Sequence, residues 1–430
     1  MGDHVVTAVV TTGRVAAALV LMALADCSAA PPPASTAPLT TTRALVPTQT
    51  LVPTRTSTPA ATSAATSTTT LLPPSTPPST PPDAVTATLH SMTLEQRVGQ
   101  LLMVGGPATS VGPATRAAIT RYHVGNVMLT GRSTAGVTAT ARVSAGVRSL
   151  ATRSATAGVP LLVATDQEGG AVQVLRGNGF TRIPSALEQG EWSSARLRAR
   201  ATGWGRELRA AGIDLNLAPV ADTVPSATAA GNAPIGAFDR QFGSSPEEVG
   251  DHVVAFAVGM RAAGVATAVK HFPGLGLVRG NPDVSSGVTD RTTTRTGAAL
   301  VPFKDAVAAG APFVMMSTAS YSRIDPDRPA AFSPVVVGDL LRGDLGFDGV
   351  VVSDDLGSAR QVRHLPAGER AVRFVAAGGD LVLTVDPAVL PTMYRALLAR
   401  ARTDRRFRVL VDASAQRVLR AKASLGRPGG

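Results

Sequence analysis

Short apolar runs in this chain end in acids and bases, the placement that hydrolytic acid–base chemistry needs. "PLLVATDQEGG" (160–170) leads to Asp166, Gln167 and Glu168, and "VATAVKHFPG" (265–274) leads to Lys270 and His271. "GVVVSDDLG" (349–357) leads to Ser353, Asp354 and Asp355, and "IDLNLAPVAD" (213–222) ends in Asp222. Carboxylates can attack, accept or deliver protons, while neighbouring cations keep an attacking carboxylate ionised and orient a polar substrate. Each residue also has a plainer use. Asp222 suits capping a loop or orienting a neighbour. Two adjacent carboxylates rarely share one task, so one of Asp354 and Asp355 is expected to brace its loop. His271 could be a hydrogen-bonded core histidine. Lys270 could be a snorkelling surface lysine, although the apolar run before it favours a site. A lysine at such a position can also form a Schiff base, but that chemistry gives Asp166, Arg240 and Asp354 no joint role.

The elements that must position these side chains follow from the same runs. Four more complete the set: 100–106 ("QLLMVGG"), 124–131 ("VGNVMLTG"), 311–319 ("APFVMMSTA") and 379–387 ("GDLVLTVDP"). Continuous apolar runs without alternation suit strands buried on both faces, as in parallel sheets. Amphipathic helical stretches separate them. Ser245-Pro246-Glu247-Glu248 reads as an N-cap serine, a proline at the first helical position and an early glutamate; that helix stops at Gly264. "LVPFKDAVAAG" and "GERAVRFVAAGG" also end on glycine. Eight such units predict an α/β fold of the (β/α)₈ TIM-barrel type, whose sites lie at the C-terminal ends of the strands. A doubly wound open sheet is the competitor, but no Gly-rich dinucleotide fingerprint follows the first strand. Two further helical segments follow Pro387, the second being "DASAQRVLRAKASLG".

Composition bounds the rest. Lys and Arg number 41 against 30 acids, a net charge of +11. The arginines are scattered over helix faces such as "SARLRARATGWGRELRAAG" (194–212) instead of forming tracts, which argues against a nucleic-acid partner. Arg14 precedes the apolar stretch "VAAALVLMALA" (15–25), too short to span a bilayer and placed like an export signal. Cys27, the single cysteine, follows Leu24-Ala25-Asp26 in a lipobox-like setting and is the candidate for lipidation and membrane attachment. Asp26 replaces the small residue usual before that cysteine. The expected organisation is a signal segment over 1–27, a disordered Thr/Pro/Ser/Ala-rich linker over 28–83 and one barrel domain over 84–430. Two tryptophans and three tyrosines offer few stacking platforms for a long extended ligand.

Several motifs, in order, are similar to those of glycoside hydrolase family 3. "MTLEQRVGQLLMVG" (92–105) resembles the family's opening, "TDQEGGAVQVLR" its Asp-x-Glu-Gly-Gly segment and "IGAFDRQFGSSPEEV" its Asp-Arg-x-Phe-Gly segment. "KHFPGLG" resembles its lysine-histidine motif, and "GFDGVVVSDDLG" its nucleophile segment. The likeness spans Ser91 to Gly426 and is strongest to the single-domain bacterial β-N-acetylglucosaminidases that trim cell-wall fragments. The resemblance implies that Asp354 is the nucleophile of a retaining mechanism. It also implies that Asp166 accepts hydrogen bonds from hydroxyls of the terminal sugar, with Arg240, Lys270 and His271 clamping it. It calls for a glycan substrate, and for neither a cofactor nor a metal.

One departure stands out. The loop after the fifth strand usually carries an Asp-x-His acid/base dyad, and here it reads "LVRGNPDVSSG". Asp283 occupies the dyad aspartate's place, and Ser285 that of the histidine. Leu275 and Thr318 also stand where family histidines are common. The six histidines are His4, His90, His123, His252, His271 and His364, none of them on this loop. A serine hydroxyl holds its proton too tightly to act as a neutral-pH acid. Asp283 is therefore the candidate acid/base if its pKa is raised, with His364 the other source of a proton. The alternative is a weakly catalytic or non-catalytic sugar-binding lipoprotein on the same barrel.

Overall fold

The structure, a computed structural model, describes residues 82–426. The expected signal segment, most of the linker and Cys27 lie outside the described residues. The first helix, Pro82–Ser91, begins just inside the stretch read as linker. No helix among the described residues is long and apolar enough to cross a membrane.

Eight parallel strands form the central sheet, seven inside the runs read from the sequence and the first, Leu102–Pro107, reaching one residue past its run. They are β1 Leu102–Pro107, β2 Asn126–Thr130, β3 Leu162–Thr165, β4 Leu215–Asn216, β5 Ala266–Phe272, β6 Phe313–Met316, β7 Val350–Ser353 and β8 Val382–Thr384. Neighbours run β7-β6-β5-β4-β3-β2-β1-β8. A parallel bridge between Val352 and Leu381 joins the two ends, so the sheet closes into the (β/α)₈ barrel. β4 is the shortest; its ladder breaks before Pro219 and resumes as a single bridge from Val220 to Lys270. The peptide bonds preceding Pro219, His271 and Pro273 are cis.

Two apolar clusters divide the strand side chains. Met103, Met128, Leu162, Ala164, Leu215, Ala268, Phe313, Met315, Val350, Val352 and Leu383 fill the barrel interior. Their strand neighbours Val104, Val127, Val163, Val269, Val314 and Val351 point outward into the larger cluster beneath the helices. Both faces of every strand are thus buried, which is why the runs lack alternation.

Helix ends follow local chemistry. The Ser245 side chain accepts from the Glu248 amide at the start of helix Pro246–Ala262, and Gly264 takes φ +76° just beyond its end. The last helix differs from expectation. It runs over Arg405–Ser424, starting well before the segment read from sequence, because Asp404 caps it by accepting from the Arg406 and Phe407 amides. Trp204 is buried, and Trp192 packs 6.2 Å from it between ring centroids.

Candidate active site

The C-terminal ends of β3, β4, β5 and β7 bring the expected residues to one mouth. Just past β3 the chain turns into a small hairpin, Gln167–Gly169 against Val172–Gln173. The Gln167 backbone is held by both polar atoms of the Asn216 side chain, from N–H to Oδ1 and from Nδ2 to the carbonyl, each at 3.0 Å. Asp166 and Glu168 flank this fixed residue.

Lys270, at the end of β5, reaches both carboxylates: its Nζ is 2.8 Å from Asp166 Oδ1 and 2.6 Å from Glu168 Oε1. Arg240 lies two residues before Phe242 in the loop after β4, aimed by Asp239 at φ +54°. It grips Glu168 as a fork, Nε to Oε2 at 2.9 Å and Nη2 to Oε1 at 2.8 Å, and its Nη1 donates to the Pro234 carbonyl at 2.7 Å. Burial alone would raise the Glu168 pKa, but the charges of Arg240 and Lys270 outweigh it and bring it to about 2. Burial likewise disfavours the Lys270 ammonium, and Asp166 and Glu168 reverse that effect and raise its pKa. A lysine held as ammonium between two carboxylates lacks the free amine that a Schiff base requires. Sequence reasoning placed Glu168 in the cluster without a role; it is the anion that holds Lys270 and Arg240 together.

His271 is set by Asp222. The fully buried Asp222 accepts from His271 Nδ1 at 2.7 Å, from the His271 amide at 3.2 Å and from the Leu275 amide at 2.7 Å. This is the orienting role expected for it, and it assigns the ring proton to Nδ1. Tyr321 donates from its hydroxyl to the Gly274 carbonyl at 2.7 Å, bracing the turn that follows.

Asp354 and Asp355 divide their labour as expected. Asp355 Oδ1 accepts from the Gly357 amide at 2.8 Å and the Val385 amide at 3.0 Å, tying the loop after β7 to the loop after β8. Asp354 carries no such load among the described residues, where its Oδ1 accepts only from the next residue's amide at 2.8 Å.

Asp283 lies on the long loop after β5, solvent-accessible but within the field of the mouth. Its carboxyl is pushed up to about 7, first by the surrounding protein displacing water and then by the negative charge of Asp354. Arg240 and His271 pull the other way. Water still reaches the rim, which moderates the effect without changing its direction. His364 is exposed in the turn before helix Ala367–Ala376, a connection between helices as its sequence position suggested. Thr318, at a position where family histidines are common, is buried, and its hydroxyl has no partner among the described residues.

Among the described residues no group of three or more His, Cys, Asp or Glu is placed to hold a metal ion. A cavity of about 290 Å³ lies at the opposite, N-terminal end of the barrel, lined by residues such as Val85, Leu161, Leu162 and Lys422. The convergence of charged groups, not cavity size, marks the site.

The glycosyl hydrolase family 3 N-terminal domain matches residues 93–421. A β-hexosaminidase of Stenotrophomonas maltophilia is 34% identical over 309 residues, which cover 70% of this chain and 88% of that protein. The crystal structure of a β-N-acetylhexosaminidase from Beutenbergia cavernae superposes with a TM-score of 0.77 at 55% identity, covering 77% of this chain and 99% of that one. A family 3 β-N-acetylglucosaminidase from Paenibacillus sp. gives a TM-score of 0.70 at 33% identity, covering 78% of this chain and 63% of that one.

Proposed function

The chain belongs to glycoside hydrolase family 3 and is a glycosidase, and from that premise we propose that it removes terminal β-linked N-acetylhexosamine by a retaining mechanism. Asp354 attacks the anomeric carbon and forms a covalent glycosyl-enzyme, which water then hydrolyses. Asp166 receives sugar hydroxyls at the rim of the charged network. Lys270 and His271 orient the same ring, with Arg240 framing them through Glu168. Asp283 protonates the leaving oxygen and afterwards activates the water.

The observation that carries this reading is the pair of carboxyls at one mouth: Asp354 lightly engaged by hydrogen bonds, and Asp283 raised to about 7 by burial and then by Asp354. Pushing two carboxyl pKa values apart is how one site obtains both a nucleophile and an acid. The paucity of aromatic side chains supports an exo-acting pocket, and the names of the relatives support N-acetylhexosamine as its sugar. The segment around 15–27 supports export and attachment to the cell envelope through Cys27, which would place cell-wall-derived glycans within reach. Radiolabelled palmitate incorporated into the chain but not into Cys27→Ser is the expected result for that anchor.

The catalytic test uses an aryl β-N-acetylglucosaminide. Asp354→Ala should abolish release of the phenol, and normal turnover by that variant would overturn the nucleophile assignment. The acid must be protonated, so kcat/KM should fall as pH rises through about 7, the value to which Asp283 is raised. Asp283→Ala should remove this alkaline limb, lower kcat/KM by roughly 10²–10⁴-fold on a poor leaving group, and give glycosyl azide when azide is added.

A further inference from the structure

The loop that carries Asp283 has no regular secondary structure between Phe272 and Thr289, yet hydrogen bonds hold it at both ends. At its start, Asn232 in the loop after β4 is buried, and its Nδ2 lies 2.8, 3.2 and 2.7 Å from the carbonyls of Leu275, Gly276 and Val278. Its Oδ1 accepts from the Ile235 and Gly236 amides, so the grip is itself anchored.

The far end is held by the short helical turn Arg360–Val362, which follows the nucleophile's loop. The Arg360 amide donates to the Asp283 carbonyl and the Gln361 amide to the Pro282 carbonyl, each at 3.0 Å. Gln361 is buried, and its side-chain amide closes a ring with the Val288 backbone. Oε1 accepts from the Val288 amide at 2.9 Å, and Nε2 donates to the Val288 carbonyl at 3.1 Å. Within the loop, Asn281 Oδ1 accepts from the Asp283 amide at 2.9 Å, fixing the backbone that presents the carboxyl.

We propose that Gln361 is a positioning residue for proton transfer: it staples the acid loop to the turn following Asp354 and so sets the spacing of the two carboxyls. The proposal rests on the reading of Asp354 as nucleophile and Asp283 as acid/base. A general acid acts only within hydrogen-bond reach of the leaving oxygen, and a loop of this length without anchors would sample many other placements. The staple links the two catalytic loops directly, with only the residues between Asp354 and Gln361 intervening. Releasing it lets Asp283 drift from Asp354, and the part of its pKa rise that repulsion adds to burial weakens with distance.

The test compares kcat/KM for phenyl and 2,4-dinitrophenyl β-N-acetylglucosaminides, the second having a leaving group that needs no protonation. In the full chain, Gln361→Ala should lower kcat/KM for the phenyl glycoside roughly 10- to 100-fold and leave the dinitrophenyl value within about threefold. The alkaline limb should move to lower pH. Gln361→Glu keeps an acceptor for the Val288 amide and loses the donor to its carbonyl; it should show the same pattern more weakly, and it decides the question if the alanine variant folds poorly. Combining Gln361→Ala with Asp283→Ala should be no worse than Asp283→Ala alone. An equal loss on both substrates, or no loss on either, would overturn the staple. If Asp283→Ala itself shows no dependence on the leaving group, the acid assignment fails instead, and the two failures are told apart.

Discussion

His271 is held by a fully buried carboxylate on Nδ1 and by a backbone contact from its own amide to the same carboxylate. The ring therefore carries a proton on Nδ1, and its orientation belongs as much to Asp222 as to β5. Asn at position 222 could still accept the two backbone amides through its oxygen, but its NH₂ would face the Nδ1 proton. The imidazole would have to give up its proton at Nδ1 to accept from that NH₂, so the tautomer that Asp222 enforces would be lost. Asp222→Asn should thus lower kcat/KM roughly 10- to 100-fold with a stability loss of about 1–3 kcal/mol, checked by steady-state kinetics beside urea unfolding. His271→Ala should be no more active than Asp222→Asn if tautomer control is what Asp222 supplies. An unchanged kcat/KM in Asp222→Asn would show that the ring's tautomer does not matter. Legibility at this scale follows chemical type: Asp166, Lys270, His271 and Asp354 announce themselves as charged groups ending apolar runs. Glu168 was visible but mute, because its meaning depends on Arg240, which lies far along the chain and folds back onto it.

The eight strands were readable because burial on both faces writes an uninterrupted apolar run, and the helices because serine caps and glycine stops bound them. What the sequence conceals are elements defined by side chains reaching across the fold. The turn Arg360–Val362 is short, and its importance lies in Gln361 meeting Val288; the wide π-helical turn set Val335–Asp344 likewise has no simple periodic signature. The acid loop shows the same limit from the glycine side. A Cβ on Gly276 would stand 1.8 Å from the Thr223 carbonyl oxygen, so the loop runs against the backbone after β4 with no space for a side chain. Gly231, in the neighbouring loop, has nothing within 4 Å of the place a methyl group would take. Gly276→Ala should therefore push the acid loop off its seat and cut kcat/KM on the phenyl glycoside at least about 10-fold, whereas Gly231→Ala should stay near wild type. Equal activities in the two variants would mean that the loop's seat does not matter to turnover.

Charged groups gather at both ends of the barrel, and they do different things there. At the C-terminal end they face the mouth. At the N-terminal end the last helix lies across the strand starts and is latched to them. Arg417 pairs with Asp380 at 3.0 Å, Ser414 donates to the Gly379 carbonyl at 3.3 Å, and Lys422 donates to Gln100 Oε1 and the Gly125 carbonyl at 2.7 and 2.8 Å. Val418 is the buried helical residue of the barrel's interior cluster, beside side chains supplied by the strands and their immediate flanks, and Ala421 of the same helix packs against that cluster. This helix is thus the floor of the interior, and its contribution should be to stability and not to chemistry. Val418→Asp places an unpaired carboxylate among Leu, Met and Phe side chains and should cost about 4 kcal/mol or more in urea unfolding. Arg420→Ala, on the exposed side of the same helix, should stay within about 0.5 kcal/mol. Whatever fraction of Val418→Asp remains folded should hydrolyse the phenyl glycoside with wild-type kcat/KM, because the floor and the mouth lie at opposite ends of the strands. A stable Val418→Asp would show that the helix merely covers the barrel, and a folded variant with impaired kcat/KM would show that the floor also shapes the site.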